Sequence, residues 1–284
     1  MDMRDYVEIT LFEGLSVRMP TEFRVQFSFF EDLIISNRNF VFSRYSDGET
    51  EILKNSYLKL GSQNALVAGR HLKQSFHPID QKIFDPKCHQ SLQEKLTSSV
   101  TFQEDGYIKG VPRSHNGASA RSYYENDLGC RFNIAYADLF MNSNFRLFLN
   151  LCDRIVTKKS RVLAGVGNYR LEKSSGPKMS AWFSIGDSAF NDTDRYLRQF
   201  SHWYAGLPSN ALCLCSASSL ANIFAVKACE LRSDVTFLDV GSALNFWLDR
   251  SVITRDYQVL GGEGLSAKLA SVLYKMRKHA YGKW

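Results

Sequence analysis

The chain has 284 residues, of which 44% are hydrophobic and 23% are charged. These proportions are typical of a globular protein with a large core, and they exclude a disordered or low-complexity chain. The net charge of +6 suits an anionic small ligand, an acidic membrane surface or nucleic acid, and it does not choose among them.

The cysteines and the apolar segments bear on where the protein works. Six cysteines are scattered along the chain, several of them inside apolar segments, which is typical of free, buried thiols in a reducing compartment. We find no basic segment followed by an apolar one near the N-terminus, and no apolar run close to the ~20 residues that a membrane span needs. We therefore expect a soluble, cytoplasmic protein.

A glycine-containing corner follows the first buried strand. The first three predicted elements are a strand, a helix and a strand, at residues 7–12, 27–35 and 40–42. The polar turn Arg44-Tyr-Ser-Asp-Gly-Glu49 ends the second strand and leads into a helical segment at 49–57. Gly48 lets the backbone turn sharply, so the carboxylates of Asp47 and Glu49 are predicted to point at one place.

Two carboxylates at such a corner are candidate metal ligands. Hard divalent cations such as Mg²⁺ are held by one or two carboxylates together with substrate phosphates. The guanidinium of Arg44 could bind the same phosphates through paired hydrogen bonds. We predict a metal–diphosphate site here, with a solvated surface turn as the alternative that turn-residue frequencies favour.

The middle of the chain contains a helix and an aromatic segment. Leu92 and Leu96, four residues apart, predict an amphipathic helix at 91–99. Between residues 131 and 152 the aromatic side chains recur at helical spacing, which predicts a buried helical stripe. Its aromatic members are Tyr136, Phe140 and Phe148.

A short strand is predicted at 107–111, and it ends in a loop that contains glycine and proline. Gly110 and Pro112 shape this loop. Arg113 and His115 follow, so the loop presents a cation and an imidazole at a strand end.

The next predicted strand, at 160–168, contains the pair Gly165-x-Gly167 and ends at Asn168. A glycine pair after a strand suggests a dinucleotide-binding loop. The third glycine and a clear following helix are missing, so this pattern alone does not establish such a loop.

A further strand at 181–185 leads into a polar segment that contains Asn191. A helix follows and passes through Phe200. Either Asp192 or Asp194 is predicted to cap its N-terminus, because an acidic side chain there accepts hydrogen bonds from free backbone N–H groups.

The last predicted unit has the pattern of two parallel strands joined by a helix. A buried strand at 210–216 is followed by the small-residue turn Ser216–Ser219, a helix at 220–231 and a strand at 235–239. Small hydroxyl residues at a helix N-terminus favour phosphate, because backbone N–H groups and the helix dipole point at the ligand there. Asp239 ends the final strand, where a parallel sheet presents side chains to a ligand crevice.

The tail, residues 265–284, contains five lysine or arginine residues and no acidic residue. Its apolar residues fall on one helical face. Two interpretations remain open, a basic amphipathic helix that touches an anionic membrane and a terminal helix packed on the domain.

Together, the first corner and the last unit resemble the GT-D glycosyltransferases over roughly residues 30–245. The family's Arg-Phe-Gly-Asp-Gly-Glu-type segment is similar to Arg44–Glu49, with Ser46 in place of a glycine. A Gly-Ile-Pro-like strand end resembles Gly110-Val-Pro112. A Gly-Pro-Thr-type turn and an Asp-Ile-Gly segment resemble Ser216-Ala-Ser218 and Asp239-Val-Gly241.

The resemblance implies an α/β, Rossmann-like fold with a mostly parallel sheet and helices on both faces. It implies a single glycosyltransferase domain over 1–284, with the first corner in an N-terminal part, 1–155, and a Rossmann-like C-terminal part, 156–284. The implied activity is metal-dependent, inverting transfer of a sugar from a nucleoside diphosphate sugar, a UDP-hexose or UDP-pentose, to a hydroxyl of a glycan or glycoconjugate. Asp47 and Glu49 would hold Mn²⁺ or Mg²⁺.

Roles follow for individual residues under this resemblance. The general base would be Asp239 or His115, although Asp239 could instead cap a helix or bind a ribose hydroxyl, and His115 could be an ordinary loop residue. The predicted donor-binding residues are Arg44, Asp47, Gly110, Pro112, Arg113, Gly167, Asn168, Asn191, Ser216, Ser218 and Ser219.

Two other classes of protein remain as alternatives. Phe237-Leu-Asp-Val-Gly-Ser242 resembles the first motif of S-adenosylmethionine-dependent methyltransferases, but about forty residues follow it, too few for the further units that such a sheet needs. A non-catalytic nucleotide- or carbohydrate-binding module is the second alternative. Nucleic acid is not expected as a partner, because the basic residues are dispersed, and no oligomeric state is predicted.

Overall fold

The computed structural model describes residues 6–61, 65–72, 78–112, 121–130, 132–174, 176–187, 189–255 and 257–258. The strands are β1 (Tyr6–Thr10), β2 (Ser16–Pro20), β3 (Val41–Arg44), β4 (Leu58–Leu60), β5 (Ala65–Val67), β6 (Arg70–Leu72), β7 (Lys82–Phe84), β8 (Tyr107–Val111), β9 (Ile134–Tyr136), β10 (Leu163–Asn168), β11 (Ala181–Ile185), β12 (Leu212–Cys215) and β13 (Thr236–Asp239). The α-helices are α1 (Phe23–Ile35), α2 (Asp47–Leu53), α3 (Gln90–Thr101), α4 (Phe145–Lys158), α5 (Thr193–Ala205), α6 (Leu220–Leu231) and α7 (Ser242–Leu248).

The main sheet has seven strands in the order β11-β10-β12-β13-β3-β8-β9, and its strand pairs are parallel. Strands from 1–155 and from 156–284 meet in this sheet, at the pair β3 and β13. The mixed α/β architecture with a parallel sheet and flanking helices confirms the predicted fold class. The division of the domain into two parts stays a prediction.

Helices cover both faces of the sheet. α2, α3, α5 and α6 pack on one face, and α1, α4 and α7 pack on the other, each with its own apolar core. Because a parallel sheet is buried on both faces, its strands are mostly apolar and do not alternate between apolar and polar residues. In β12, all four residues are buried, and Cys213 and Cys215 share one face as their spacing predicts.

Two small antiparallel sheets lie outside the main one. β1 and β2 form a hairpin, so the strand predicted at 7–12 pairs with its neighbour and not with the main sheet. The second has the order β6-β5-β4-β7 and is inserted between α2 and α3. Its strands have three residues each, too few for a periodic pattern, and the sequence predicts no element over most of this stretch.

The helical stripe predicted between 131 and 152 is wrong in its first part. Residues 134–136 form the edge strand β9, which pairs with β8, and the helix α4 begins only at Phe145. Phe140 and Phe148 are nevertheless buried as predicted. A three-residue edge strand followed by a turn places aromatic residues in the core without a helix. The helical spacing of these aromatic residues therefore does not indicate a helix before Phe145.

The other boundaries move by a few residues. α1 starts at Phe23, because the Glu22 carboxylate accepts hydrogen bonds from the N–H groups of Arg24 and Val25. α2 ends at Leu53, four residues earlier than predicted.

Among the residues described, no helix is both long enough and apolar enough to cross a membrane.

Candidate functional site

The strands β3 and β13 lie side by side in the sheet. The chain leaves β3 into α2 on one face of the sheet and leaves β13 into α7 on the opposite face. Ligands of open α/β sheets bind in crevices outside the carboxyl ends of the strands, where the connections diverge in this way. The side chains at these two strand ends are therefore the first candidates for function.

Arg44 and Asp239 meet at these ends. Asp239 is only 3% exposed, and its carboxylate accepts hydrogen bonds from the backbone N–H of Arg44 at 3.3 Å and of Gly241 at 3.1 Å. The Arg44 Nε atom lies 4.0 Å from Asp239 Oδ1. Gly241 has φ +53°, and a Cβ there would lie 2.4 Å from Arg44 Nη2, so only glycine leaves room for the guanidinium.

The pKa values of Asp239 and Arg44 are both raised, with different consequences for their charge. Burial raises the pKa of Asp239 to about 7, since the positive charge of Arg44 only partly offsets the desolvation and the negative charge of Glu49 adds to it. For Arg44, burial alone would lower the pKa, but the carboxylates of Asp239 and Glu49 raise it above the usual value. Arg44 therefore stays charged, and Asp239 gains and loses its proton near neutral pH.

Glu49 is buried in the first turn of α2, at 4% exposure. Its Oε2 atom accepts hydrogen bonds from Ser46 N at 3.1 Å and Ser46 Oγ at 2.5 Å, and its Oε1 atom accepts one from Ser219 Oγ at 2.7 Å. Burial alone would raise the pKa of Glu49, but the cations Lys82 and Arg44 and these hydrogen bonds lower it to about 2. At neutral pH Glu49 is therefore an anion that joins α2 to the turn before α6.

Lys82 reaches this anion from β7 of the inserted sheet. Its ammonium donates a hydrogen bond to Ser218 Oγ at 2.9 Å and lies 3.9 Å from Glu49 Oε1. It lies against Gly48, where a Cβ would stand 2.8 Å from Lys82 Nζ. Burial lowers the pKa of Lys82, the negative charge of Glu49 opposes this, and Arg255 adds to the lowering.

The structure thus brings together five of the predicted residues, Arg44, Glu49, Ser218, Ser219 and Asp239. They come from β3, α2, β13 and the turn before α6. Sequence reasoning missed Lys82, because nothing in a three-residue strand of an inserted sheet marks one lysine among many.

The predicted metal ligands behave differently from each other. Asp47, the first residue of α2, is exposed, whereas the oxygens of Glu49 already accept three hydrogen bonds and face the ammonium of Lys82. No group of three or more potential metal ligands is found among the described residues. Mn²⁺ or Mg²⁺ at this pair stays a prediction, and the residues fit a divalent cation poorly because Glu49 already has a counter-ion.

The glycine pair in β10 makes room for an aromatic ring. A Cβ on Gly165 would lie 2.3 Å from Trp182 Cζ3, and one on Gly167 would lie 3.1 Å from Trp182 Cη2. The indole of the neighbouring strand therefore covers both glycines. Packing explains this pair, and the predicted donor contact of Gly167 stays a prediction.

Asn168 and Asn191 both have protein partners. Asn168 Oδ1 accepts a hydrogen bond from Arg170 N at 3.0 Å, and its amide nitrogen donates to Asp187 Oδ1 at 3.1 Å. Asn191 Oδ1 lies 2.7 Å from His89 Nε2. These contacts tie loops together, and neither residue touches the charged cluster in the contacts described.

The remaining predicted residues are less informative. Gly110 is buried, and a Cβ there would lie 2.8 Å from Phe42 Cζ, so packing requires this glycine. Pro112 and Ser216 are half-buried, and Ser216 N donates to a carbonyl of β10. Arg113, His115 and the basic tail at 265–284 lie outside the described residues.

Comparison with known proteins adds a likeness of fold. No family model and no curated protein matches the chain. Similar solved structures include two of domain of unknown function 1792, one selenomethionine-substituted and one described as having a distinct glycosyltransferase fold; each is 14% identical, with 80% of this chain and 85% of the other covered and a TM-score of 0.47. A third, described as a new glycosyltransferase with this domain from Streptococcus sanguinis, is 12% identical over 78% and 82% of the two chains, with a TM-score of 0.47.

Proposed function

We propose that the protein is a glycosyltransferase that moves a sugar from a nucleoside diphosphate sugar to a hydroxyl of a glycan or glycoconjugate. The observation that carries this proposal is the convergence of Arg44, Lys82 and the Ser218–Ser219 turn at the carboxyl edge of the parallel sheet. The resemblance of Arg44–Glu49 to the corresponding segment of GT-D enzymes supports the same conclusion.

This convergence suits a diphosphate. α6 has twelve residues, and the N-terminus of such a helix attracts phosphate through its backbone N–H groups and dipole. Arg44 and Lys82 add positive charge beside the turn before α6. In glycosyl transfer the leaving diphosphate gains negative charge, and fixed cations aimed at it stabilise the transition state.

We propose Asp239 as the general base that takes the proton of the acceptor hydroxyl. A base works best when its pKa lies near the working pH, and that of Asp239 is raised to about 7. His115 stays the second candidate. A UDP-sugar donor and inversion of the anomeric centre follow from the resemblance, and contact of the basic tail with an anionic membrane stays a prediction.

The test is release of nucleoside diphosphate by the purified full chain from a panel of nucleotide sugars, with EDTA and with Mn²⁺. We expect one donor to be turned over, and a donor at a hundred times its Kd to stabilise the fold by ~2.7 kcal/mol. Replacement of the Arg44 guanidinium by Arg44→Met should lower turnover by about 100-fold, because a preorganised charge is lost.

The matched control is Arg38→Met, in the segment before β3, where the side chain is exposed. It should leave turnover unchanged. Binding of a nucleotide sugar without release of diphosphate would favour a non-catalytic module, and transfer from S-adenosylmethionine would favour a methyltransferase. Either result would overturn the proposal.

A further inference from the structure

We infer that Lys82 takes the place of a divalent cation in this site, so that a nucleoside diphosphate binds without metal. The inference rests on the proposed function, since it concerns how the diphosphate of the donor is neutralised. It differs from the metal site that the sequence predicts at Asp47 and Glu49.

The position of the ammonium carries the inference. Lys82 Nζ lies 3.9 Å from Glu49 Oε1 and 2.9 Å from Ser218 Oγ, so it bridges the buried anion and the hydroxyl turn before α6. A metal bound to Glu49 would bridge the same two elements. The Lys82 side chain is 17% exposed, so its neighbours do not cover it completely.

A metal and this ammonium would compete for one place. A divalent cation binds carboxylate oxygens at about 2.0–2.6 Å. Held on Glu49 Oε1, it would stand within a few ångströms of Lys82 Nζ, and like charges at that separation repel. The remaining oxygen of Glu49 is engaged by both donors of Ser46.

The glycine of the corner gives an independent indication. Gly48 has no need of a positive φ, yet a Cβ there would lie 2.8 Å from Lys82 Nζ and 3.5 Å from Lys82 Cε. The missing side chain therefore leaves room for the lysine. The inserted sheet holds that lysine in place, because Lys82 of β7 pairs with Leu60 of β4.

The chemistry of the ligand follows from these contacts. An ammonium has three N–H donors. In Lys82 one of them donates to Ser218, and a second faces the carboxylate of Glu49. The third is available for a phosphate oxygen. A diphosphate bound before α6 would then be linked to Glu49 through Lys82, as it would be through a metal.

The experiment measures binding of UDP to the full chain by calorimetry, with EDTA and with Mn²⁺, together with Mn²⁺ binding by electron paramagnetic resonance without nucleotide. For the unmodified chain we expect the same Kd for UDP in both buffers. Lys82→Met should weaken UDP binding by about tenfold or more in EDTA, because a charge-assisted hydrogen bond is lost. Mn²⁺ should restore that binding, and only this variant should bind Mn²⁺ alone.

The controls separate a specific effect from a general one. Lys59→Met, an exposed lysine on the same small sheet, should behave as the unmodified chain does, and Lys82→Arg should keep binding independent of metal. A tenfold gain in UDP affinity with Mn²⁺ in the unmodified chain, which requires no variant to fold, would overturn the inference and leave the proposed function standing. Failure to bind any of UDP, GDP, ADP, CDP and dTDP in either buffer would overturn both.

Discussion

Replacing Glu49 by glutamine removes a buried anion that accepts hydrogen bonds from several donors. The amide of Glu49→Gln keeps the size of the side chain but loses the charge. Its oxygen can accept from only some of the donors on Ser46 and Ser219, and its NH₂ group turns a donor toward other donors. The ammonium of Lys82 would also lose its counter-ion.

The magnitude follows from the pKa of Glu49. Despite burial, the neighbouring cations and hydrogen bonds lower it from 4.5 to about 2. At ~1.36 kcal/mol for each unit, this corresponds to roughly 3 kcal/mol of stability at neutral pH. Because the folded pKa is depressed, this stability is present above pH 4.5 and is lost as the pH falls toward 2.

Urea unfolding of both proteins between pH 7 and pH 3 measures this effect. We expect Glu49→Gln to lower the free energy of unfolding by roughly 3 kcal/mol at pH 7 and the difference to shrink below pH 4.5. Glu51→Gln, on the same helix but only half-buried, should change it by less than about 0.5 kcal/mol. A Glu49→Gln deficit that stays constant down to pH 3 would refute the electrostatic explanation and assign the loss to packing.

Two further predictions concern the opposite pH window and the glycine pair. The folded pKa of Asp239 is raised from 3.8 to about 7, so its contribution to stability is present below pH 3.8 and is lost as the pH rises to 7. Asp239→Asn should abolish this dependence of the urea unfolding midpoint on pH. A dependence that persists in the variant would point to another group. Gly165→Ala should lower the free energy of unfolding by ~1–3 kcal/mol and shift the tryptophan fluorescence, because its Cβ would lie 2.3 Å from Trp182. Gly206→Ala, whose Cβ would have its nearest neighbour at 3.5 Å, should lower it much less. Equal losses in the two variants would contradict the packing argument.

The last strand–helix–strand unit could be predicted from the sequence almost to the residue. Its strands are buried on both faces and so read as short apolar runs, and the small-residue turn marks where the helix begins. The helix α6 spans the predicted residues, 220–231. Local composition was sufficient because nothing distant overrides it there.

The charged residues of the site other than Lys82 could be predicted for a similar reason. Arg44 and Asp239 end strands and Glu49 lies in the helix after β3, and parallel strands bring their carboxyl ends to one edge of a sheet. The sequence does not show which strands are neighbours. Arg44 and Asp239 are separated by 195 positions in the sequence, and they come into contact only because β3 pairs with β13.

What could not be predicted depends on contacts between distant segments. The glycine pair of β10 has the spacing of a phosphate loop, but in the fold it makes room for Trp182 of the adjacent strand. Similarly, the sequence predicts Gly48 as a turn residue, and in the fold Gly48 also makes room for Lys82. In both cases a glycine marks a close approach, and the sequence alone does not name the partner.

Two buried carboxylates at this edge of the sheet have pKa values shifted in opposite directions, and their surroundings explain why. Glu49 accepts three hydrogen bonds and faces an ammonium, so its pKa is lowered to about 2. Burial raises the pKa of Asp239 to about 7 and the negative charge of Glu49 adds to this, because Arg44 and the longer hydrogen bonds from backbone N–H groups offset the desolvation only in part. Environments that separate two acids in this way divide their tasks, one as a fixed anion and one as a proton acceptor. In the proposed transferase Glu49 would hold Lys82 against the diphosphate, and Asp239 would be left to take the proton.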